Sequence, residues 1–395
     1  MKILHCFLAF ILGSLALYAS ETATPSPLRV SLTSPLDYQV VQRTKRSEGK
    51  LTVSGTILPV IRNGTLPLDA IEARLTGKSA AGDLPGKWQP LPFDPRVAAF
   101  RGELAVPAGG WYRLEVHALL QSVEVSTAVI EHVGVGEVFV VAGQSNAANY
   151  GEERQTSRTR LVSAFDGTGW QLADDPQPGA GGTKGSFMPA FGDAMAERLQ
   201  VPIGIVAVGI GSTSVREWLP PGTRIANLPP LTRNVVTVAP DQWEPMGKIF
   251  NDFTARMKLF GPKGFRAVLW HQGESDGNQN PPDRSLSGTL YRHYLEQLIL
   301  DSRKEAGWSI PWFVAQASSH GPKESSSAEI RDAQKALWDL GIALPGPDTD
   351  TLTGDLREKD GQGVHFSGKG LREHGRLWAE KVGPWVEHQL ALTNP

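Results

Sequence analysis

Two rhythms of hydrophobic and polar positions divide the chain. Between about residues 26 and 133, strand-length runs at Lys50–Val53, Ala70–Leu75, Ala99–Val106 and Tyr112–Ala118 are separated by turn clusters at Arg62–Gly64, Gly77–Gly86 and Pro107–Gly110. Ile71, Ala73 and Leu75 alternate with Glu72, Arg74 and Thr76. A period of two places the apolar set on one face, as a half-buried strand requires. Short strands at this spacing predict a small all-β sandwich, and no internal repeat suggests a solenoid or propeller.

From about residue 134 the rhythm changes. The strand-length apolar runs are Val138–Ala142, Ile203–Val208, Phe265–Trp270 and Trp312–Gln316. Helical patterns occupy Ala190–Leu199, Met246–Phe260, Leu290–Glu305 and Ala328–Leu340, and a last helix begins near Lys369. Gly383-Pro384 is expected to end or kink it. Continuous apolar strands alternating with helices predict an α/β fold, with a parallel sheet covered on both faces. Asp166–Phe187, rich in Gly, Pro and Asp, reads as a long surface loop, and a second irregular stretch runs from Pro220 to Pro230.

The first twenty residues have the order of an export signal: Lys2, an apolar run from Ile3 to Leu17, and small Ala19 before Ser20. The run is shorter than a bilayer span, so cleavage and a secreted or periplasmic protein are expected, without stable membrane insertion. The expected division is thus 1–20 signal, 26–133 β-sandwich and 134–395 α/β domain. Cys6, the only cysteine, lies in the signal. The mature chain would then have no disulfide, thiolate metal site or cysteine nucleophile. With 39 basic and 41 acidic residues and no basic stripe, nucleic acid is not an expected partner. The eleven tryptophans are expected chiefly in cores, with some free to stack on sugar.

In an open parallel sheet, ligands bind beyond the carboxyl ends of the strands. The first α/β strand runs into Gly143-Gln144-Ser145-Asn146. Ser145 then falls at a helix start, where free N–H groups and the helix dipole favour negative charge. The position suits a nucleophile, but a helix cap is the commoner role of an isolated serine there. The second strand runs into Gly209-Ile210-Gly211-Ser212-Thr213, where small residues let backbone N–H groups face a cleft. Neither this segment nor Gly179–Gly185 matches a phosphate loop. After the third strand come Trp270-His271-Gln272-Gly273-Glu274-Ser275-Asp276. Gln272 has a side-chain N–H to offer an oxyanion, and the loop carries two carboxylates. Near the end, His365 in Asp360-Gly361-Gln362-Gly363-Val364-His365 is a candidate general base or a helix-flanking histidine. His271 and His320 follow strands and are placed near the cleft. His293 and His374 fall on helices, at surfaces. No histidine pair has metal-ligand spacing with carboxylates, so no metal is expected.

Together these segments resemble the SGNH hydrolases, most closely the branch containing sialate O-acetylesterases and plant-polysaccharide acetylesterases. The resemblance covers roughly residues 134–390. It rests on the Gly143–Asn146 block, on Gly211-Ser212-Thr213, and on Trp270–Glu274. It implies a three-layer α/β/α, flavodoxin-like sheet and no cofactor, with Ser145 as nucleophile and His365 as base. The implied oxyanion hole comprises the Ser145 and Gly211 N–H groups and the Gln272 side chain. The implied activity is carbohydrate O-acetylesterase, acting on an acetylated glycan. One position departs from the pattern: three residues before His365 stands Gln362, not Asp. Asp360 is the favoured orienting carboxylate and Glu274 the alternative; a Ser–His dyad is a third arrangement. Two rival readings are a non-catalytic carbohydrate-binding protein on a degenerate fold and a lipase or phospholipase. Near-neutral charge and the lack of an amphipathic lid helix argue against the second. Oligomeric state is not legible.

Overall fold

The computed structural model describes residues 28–58, 68–79, 81–322 and 326–393. The expected export signal with Cys6, and the turn cluster Arg62–Gly64, lie outside the described residues.

The N-terminal part is built from strands that pair antiparallel, except β2, which pairs parallel with the long strand that follows. Strands β1 (Arg29–Ser34), β2 (Gln39–Gln42), β3 (Glu48–Leu58), β4 (Ala70–Thr76), β5 (Ala99–Pro107) and β6 (Gly109–Leu120) all precede the longest one, β7 (Val123–Gly143). One sheet contains β1, β3 and β5 in that order; in another, β4 pairs β6 and β6 pairs β7. Ile71, Ala73 and Leu75 of β4 point into a buried cluster with Leu51, Val53, Phe100, Leu114 and Val116. The alternation in the sequence therefore reports the face of β4 that meets the other sheet.

Strand β7 joins this part to the α/β part. Along Val123–Glu131 its residues are exposed or half-buried, and from Val133 onward all are buried. The change marks the passage from a one-sided antiparallel sheet to a sheet covered on both faces. The expected boundary between residues 133 and 134 thus falls inside a continuous strand. At this crossing Glu137, wholly buried, accepts from Arg43 Nε at 2.7 Å, Arg266 Nε at 2.6 Å and Gln42 Nε2 at 2.8 Å. A buried carboxylate is tolerable only with such partners.

The second half of β7 lies between β10 (Ile203–Ala207) and β11 (Ala267–His271), parallel to both. The order across this sheet is β9 (Trp170–Leu172), β8 (Val162–Phe165), β10, β7, β11, β12 (Trp312–Gln316) and β13 (Leu344–Asp348). All of its pairings are parallel except β8 with β9. Val138, Val140 and Ala142 enter one core cluster with residues of α2 (Lys248–Lys258), α3 (Gly288–Ala306) and α4 (Ala328–Asp339). Phe139 and Val141 enter another, with α1 (Met188–Leu199) and α5 (Gly368–Leu392).

Three local expectations are corrected. Asp166–Phe187 is not one surface loop: residues 166–169 turn β8 back into β9, and Gln177 and Ser186 beyond it are buried, bonded to Asn149 and Asp175. Helix α5 does not end at Gly383-Pro384 but continues to Leu392 with Pro384 inside. Gly383 brings α5 against α1, since a Cβ there would lie 2.5 Å from Arg198 Cδ. His374 is fully buried, its ring 4.3 Å from that of Phe187, and its Nε2 accepts from Trp378 Nε1 at 3.0 Å.

Candidate active site

The carboxyl ends of β7, β10 and β11 converge, and the sequence between strand and helix explains how. Gly143 ends β7 at φ +132°, where a Cβ would lie 2.0 Å from the His271 carbonyl oxygen. Only glycine lets the chain turn there. Gln144 donates its N–H to that oxygen at 3.0 Å, and its side-chain Oε1 accepts from Gln272 Nε2 and Ser275 N. Ser145 then opens a 3-10 turn, Ser145–Ala147, and is 6% exposed. The N–H groups of Ala147 and Ala148 are the first to bond back, to Gln144 and Ser145, so those of Ser145 and Asn146 belong to the unbonded start of the turn.

The second loop lies against this turn. A Cβ at Gly209 would come within 2.3 Å of the Ala147 carbonyl, and one at Gly211 within 2.6 Å of the Tyr150 ring. Main chain can approach so closely only where side chains are absent.

The histidine loop closes the site from the third side. Asn146 Nδ2 donates to the Val364 carbonyl at 3.3 Å and to Glu274 Oε1 at 2.9 Å. Val364 O also accepts from Arg357 Nη1 at 2.7 Å. The buried Arg357 further bonds the Leu352 and Thr349 carbonyls and lies over the Phe366 ring. The structure therefore sets His365 beside the residue that follows Ser145. Its ring stacks on Tyr150 with centroids 5.6 Å apart. Among the described residues the Ser145 hydroxyl makes no hydrogen bond to His365; such contacts often tighten only around substrate.

His365 Nδ1 donates to Glu358 Oε1 at 2.9 Å. This corrects the expectation of Asp360. Lys359 and Asp360 both adopt left-handed backbone, φ +55° and +54°, which turns Asp360 out to solvent. Glu358, buried, reaches the ring because Gly363 leaves space: a Cβ there would lie 2.1 Å from Glu358 Cγ. Glu274, the alternative, bonds Asn146 rather than His365. Burial holds the His365 imidazole below the usual histidine range, against the opposing pull of Glu358. It is neutral, and able to take a proton, at neutral pH.

Gln272 is also corrected. It is wholly buried, and Nε2 faces Asp276 Oδ2 at 2.7 Å, with Thr213 O and Gln144 Oε1 at 3.2 Å. Both amide protons are spent in the interior, and none faces the cleft. Asp276 continues this brace to Ser214, Val215 N and buried Arg216. His271 is likewise interior, its Nε2 2.8 Å from Thr349 Oγ1, and does not border the cleft. Among the described residues no cluster of three or more His, Cys, Asp or Glu is gathered to hold a metal.

Sequence reasoning missed Glu358 and Tyr150. Glu358 precedes His365 by an uninformative interval, and only the reversal at Lys359-Asp360 joins them. Tyr150 carried no signal beyond its closeness to Ser145.

A family model described as carbohydrate esterase, sialic acid-specific acetylesterase, matches residues 135–383. The chain belongs to this family. The enzyme class expected from the sequence, carbohydrate O-acetylesterase, accords with that membership. Among solved structures, the esterase is similar to a carbohydrate acetylesterase from Xanthomonas citri, at 18% identity and TM-score 0.49, over 90% of this chain and 76% of that one. A protein from Arabidopsis thaliana is similar at 20% identity and TM-score 0.42, over 62% of this chain and 96% of that one. A carbohydrate esterase family 2 enzyme with a carbohydrate binding domain, from Corynascus thermopiles (Myceliophthora fergusii), is similar at 11% identity and TM-score 0.34, over 90% and 99%. No curated protein sequence matches the chain.

Proposed function

We propose that this esterase is a secreted serine enzyme that removes O-acetyl groups from carbohydrate through an acetyl-enzyme on Ser145. The observation that carries the reading is the Glu358–His365 hydrogen bond, on a loop whose Val364 carbonyl meets the neighbour of Ser145. With Nδ1–H held by a carboxylate, Nε2 is the basic atom. It takes the Ser145 proton as the hydroxyl attacks the acetyl carbonyl. The N–H groups of Ser145 and Gly211 receive the developing oxyanion; Gln272 supports their loops from behind. Collapse breaks the bond to the sugar oxygen, which takes the proton from His365. Water, deprotonated by the same imidazole, then releases acetate and restores the serine. No cofactor enters the cycle.

The charged and apolar N-terminal sequence supports export. The core clusters on opposite faces of the parallel sheet support a three-layer α/β/α arrangement, and the antiparallel sheets around Leu51 and Val116 support a β-sandwich accessory domain.

Ser145→Ala is expected to abolish acetate release from a small aryl acetate, and a serine-directed phosphonate to label the wild type but not the variant. Full activity in Ser145→Ala would end this assignment. An inert wild type would favour a glycan-binding protein, and preference for long-chain esters a lipase.

A further inference from the structure

In the proposed cycle the oxyanion meets the N–H groups of Ser145 and Gly211, neither of which has a backbone partner among the described residues. An alkoxide oxygen carries more lone pairs than these donors fill. Gln272, the side chain expected to supply a further donor, spends its amide protons on Asp276, Thr213 and Gln144. The site holds another polar hydrogen that is not so employed. Tyr150 is half-buried, and among the described residues its hydroxyl makes no hydrogen bond. The interior tyrosines differ: the hydroxyls of Tyr112 and Tyr291 donate to the carbonyls of Pro107 and Gln272, and that of Tyr294 accepts from Ala226 N.

The Tyr150 ring spans the site from base to oxyanion loop. It stacks on His365 with centroids 5.6 Å apart and planes 26° apart, and a Cβ at Gly211 would lie 2.6 Å from its Oη. The hydroxyl oxygen is therefore no more than about 4 Å from the Gly211 Cα. That separation lets one oxygen lie within about 2.9 Å of both the hydroxyl and the Gly211 N–H. Each partner is held in place. Arg233 Nη2 donates to the Gly211 carbonyl at 2.6 Å. On either side of Tyr150, Asn149 N–H donates to Gly181 O and Gly151 N–H to Gly185 O, each at 2.9 Å. A Cβ at Gly182 would come 3.1 Å from the ring Cδ2. The ring direction is thus set before substrate arrives, as a donor to developing charge requires.

We propose that Tyr150 is a further catalytic residue of this esterase: its hydroxyl donates to the oxyanion beside the Gly211 N–H, the part Gln272 was expected to play. The inference rests on the Ser145 esterase reading and deepens it. The phenol keeps its proton throughout. Its hydrogen bond strengthens as the acetyl carbonyl oxygen gains charge on attack by Ser145 and weakens again on collapse, so the contribution falls on the transition state rather than on bound substrate.

Tyr150→Phe removes the hydroxyl and keeps the ring on His365. On a small aryl acetate, kcat should fall by about ten- to a thousandfold, with KM changed by less than about threefold. A trifluoromethyl ketone, whose adduct with the serine carries an oxyanion in the same place, should bind the variant more weakly by a similar factor. The acid midpoint of the kcat/KM profile should not move, because the stacked ring remains. A kcat within about threefold of wild type, a loss lying wholly in KM, or undiminished affinity for the ketone would each overturn the proposal. So would a shifted midpoint, which would make Tyr150 a residue acting through His365. Ser145→Ala, assayed in parallel, tells the two readings apart. If it abolishes turnover while Tyr150→Phe keeps the full rate, the Tyr150 assignment alone falls. If Ser145→Ala retains activity, the esterase reading falls and the Tyr150 assignment with it.

Discussion

Glu358 Oε1 receives the Nδ1 proton of His365 at 2.9 Å, although Asp360 stands closer to the histidine in sequence. The carboxylate fixes both tautomer and ring direction. Replacing such a partner by its amide costs up to about ten-thousand-fold in kcat where the tautomer is reversed. Glu358→Gln is therefore expected to lower kcat on an aryl acetate by about a hundred- to ten-thousand-fold. Asp360→Asn, at an exposed position, should stay within about twofold of wild type. The opposite ranking in a steady-state assay would return the role to Asp360.

The pH profile follows from the same pair. Burial lowers the His365 pKa below 6.5, while Glu358 raises it. The proposed base works when deprotonated, so kcat/KM should climb with pH to a plateau whose acid midpoint lies below 6.5. Removing the carboxylate charge in Glu358→Gln should move that midpoint lower still. An upward movement in the residual activity would contradict the charge argument.

Glu217 gives the fold its own pH dependence. Burial pushes this carboxyl up to about 7 from 4.5, although Asn234 and the Ser214 N–H donate to it. A group whose folded pKa is raised stabilises most below its unfolded pKa, and that contribution is lost as pH rises from 4.5 to about 7. The size is roughly 3 kcal/mol. Urea unfolding of wild type and Glu217→Gln at pH 5 and pH 8 should show a smaller loss of stability on raising the pH in the variant. Parallel curves would place the titration elsewhere.

Gly143 and Gly222 separate close approach from backbone conformation. Both have positive φ, but a Cβ at Gly143 meets the His271 carbonyl at 2.0 Å, whereas at Gly222 nothing lies within 4 Å. Gly222→Ala should cost about 1–2 kcal/mol, the left-handed penalty alone. Gly143→Ala should cost about 2–4 kcal/mol and also depress kcat in the folded protein, because the chain that presents Ser145 must shift. Similar losses at both positions in urea melts would remove the distinction.

The elements around the cleft were legible because parallel strands buried on both faces read as unbroken apolar runs, as Val138–Ala142 and Trp312–Gln316 do. The loops that follow could be located for the same reason. Side-chain direction was not legible. Gln272 sits in the expected loop, yet Asp276 and Gln144 turn its amide inward. Glu358 escaped notice because two left-handed residues reverse the chain between it and His365, and local spacing carries no mark of such a reversal. Residues 166–187 looked featureless because buried polar groups, rather than apolar periodicity, hold them in place. Leu344–Asp348, with two prolines at the sheet edge, carried too weak an apolar signal to read as a strand.

The span of β7 bears on how this molecule can be dissected. One unbroken ribbon starts at the outer hairpin, crosses the Glu137 ion cluster and ends at Gly143, directly before Gln144-Ser145. Trimming the protein at residue 134 would not liberate an autonomous hydrolase. It would sever the central girder of the parallel sheet from its anchorage on β2 and β6, and strip Glu137 of Arg43. Any load gripped by the outer strands is shared, through that girder, with the turn that carries Ser145.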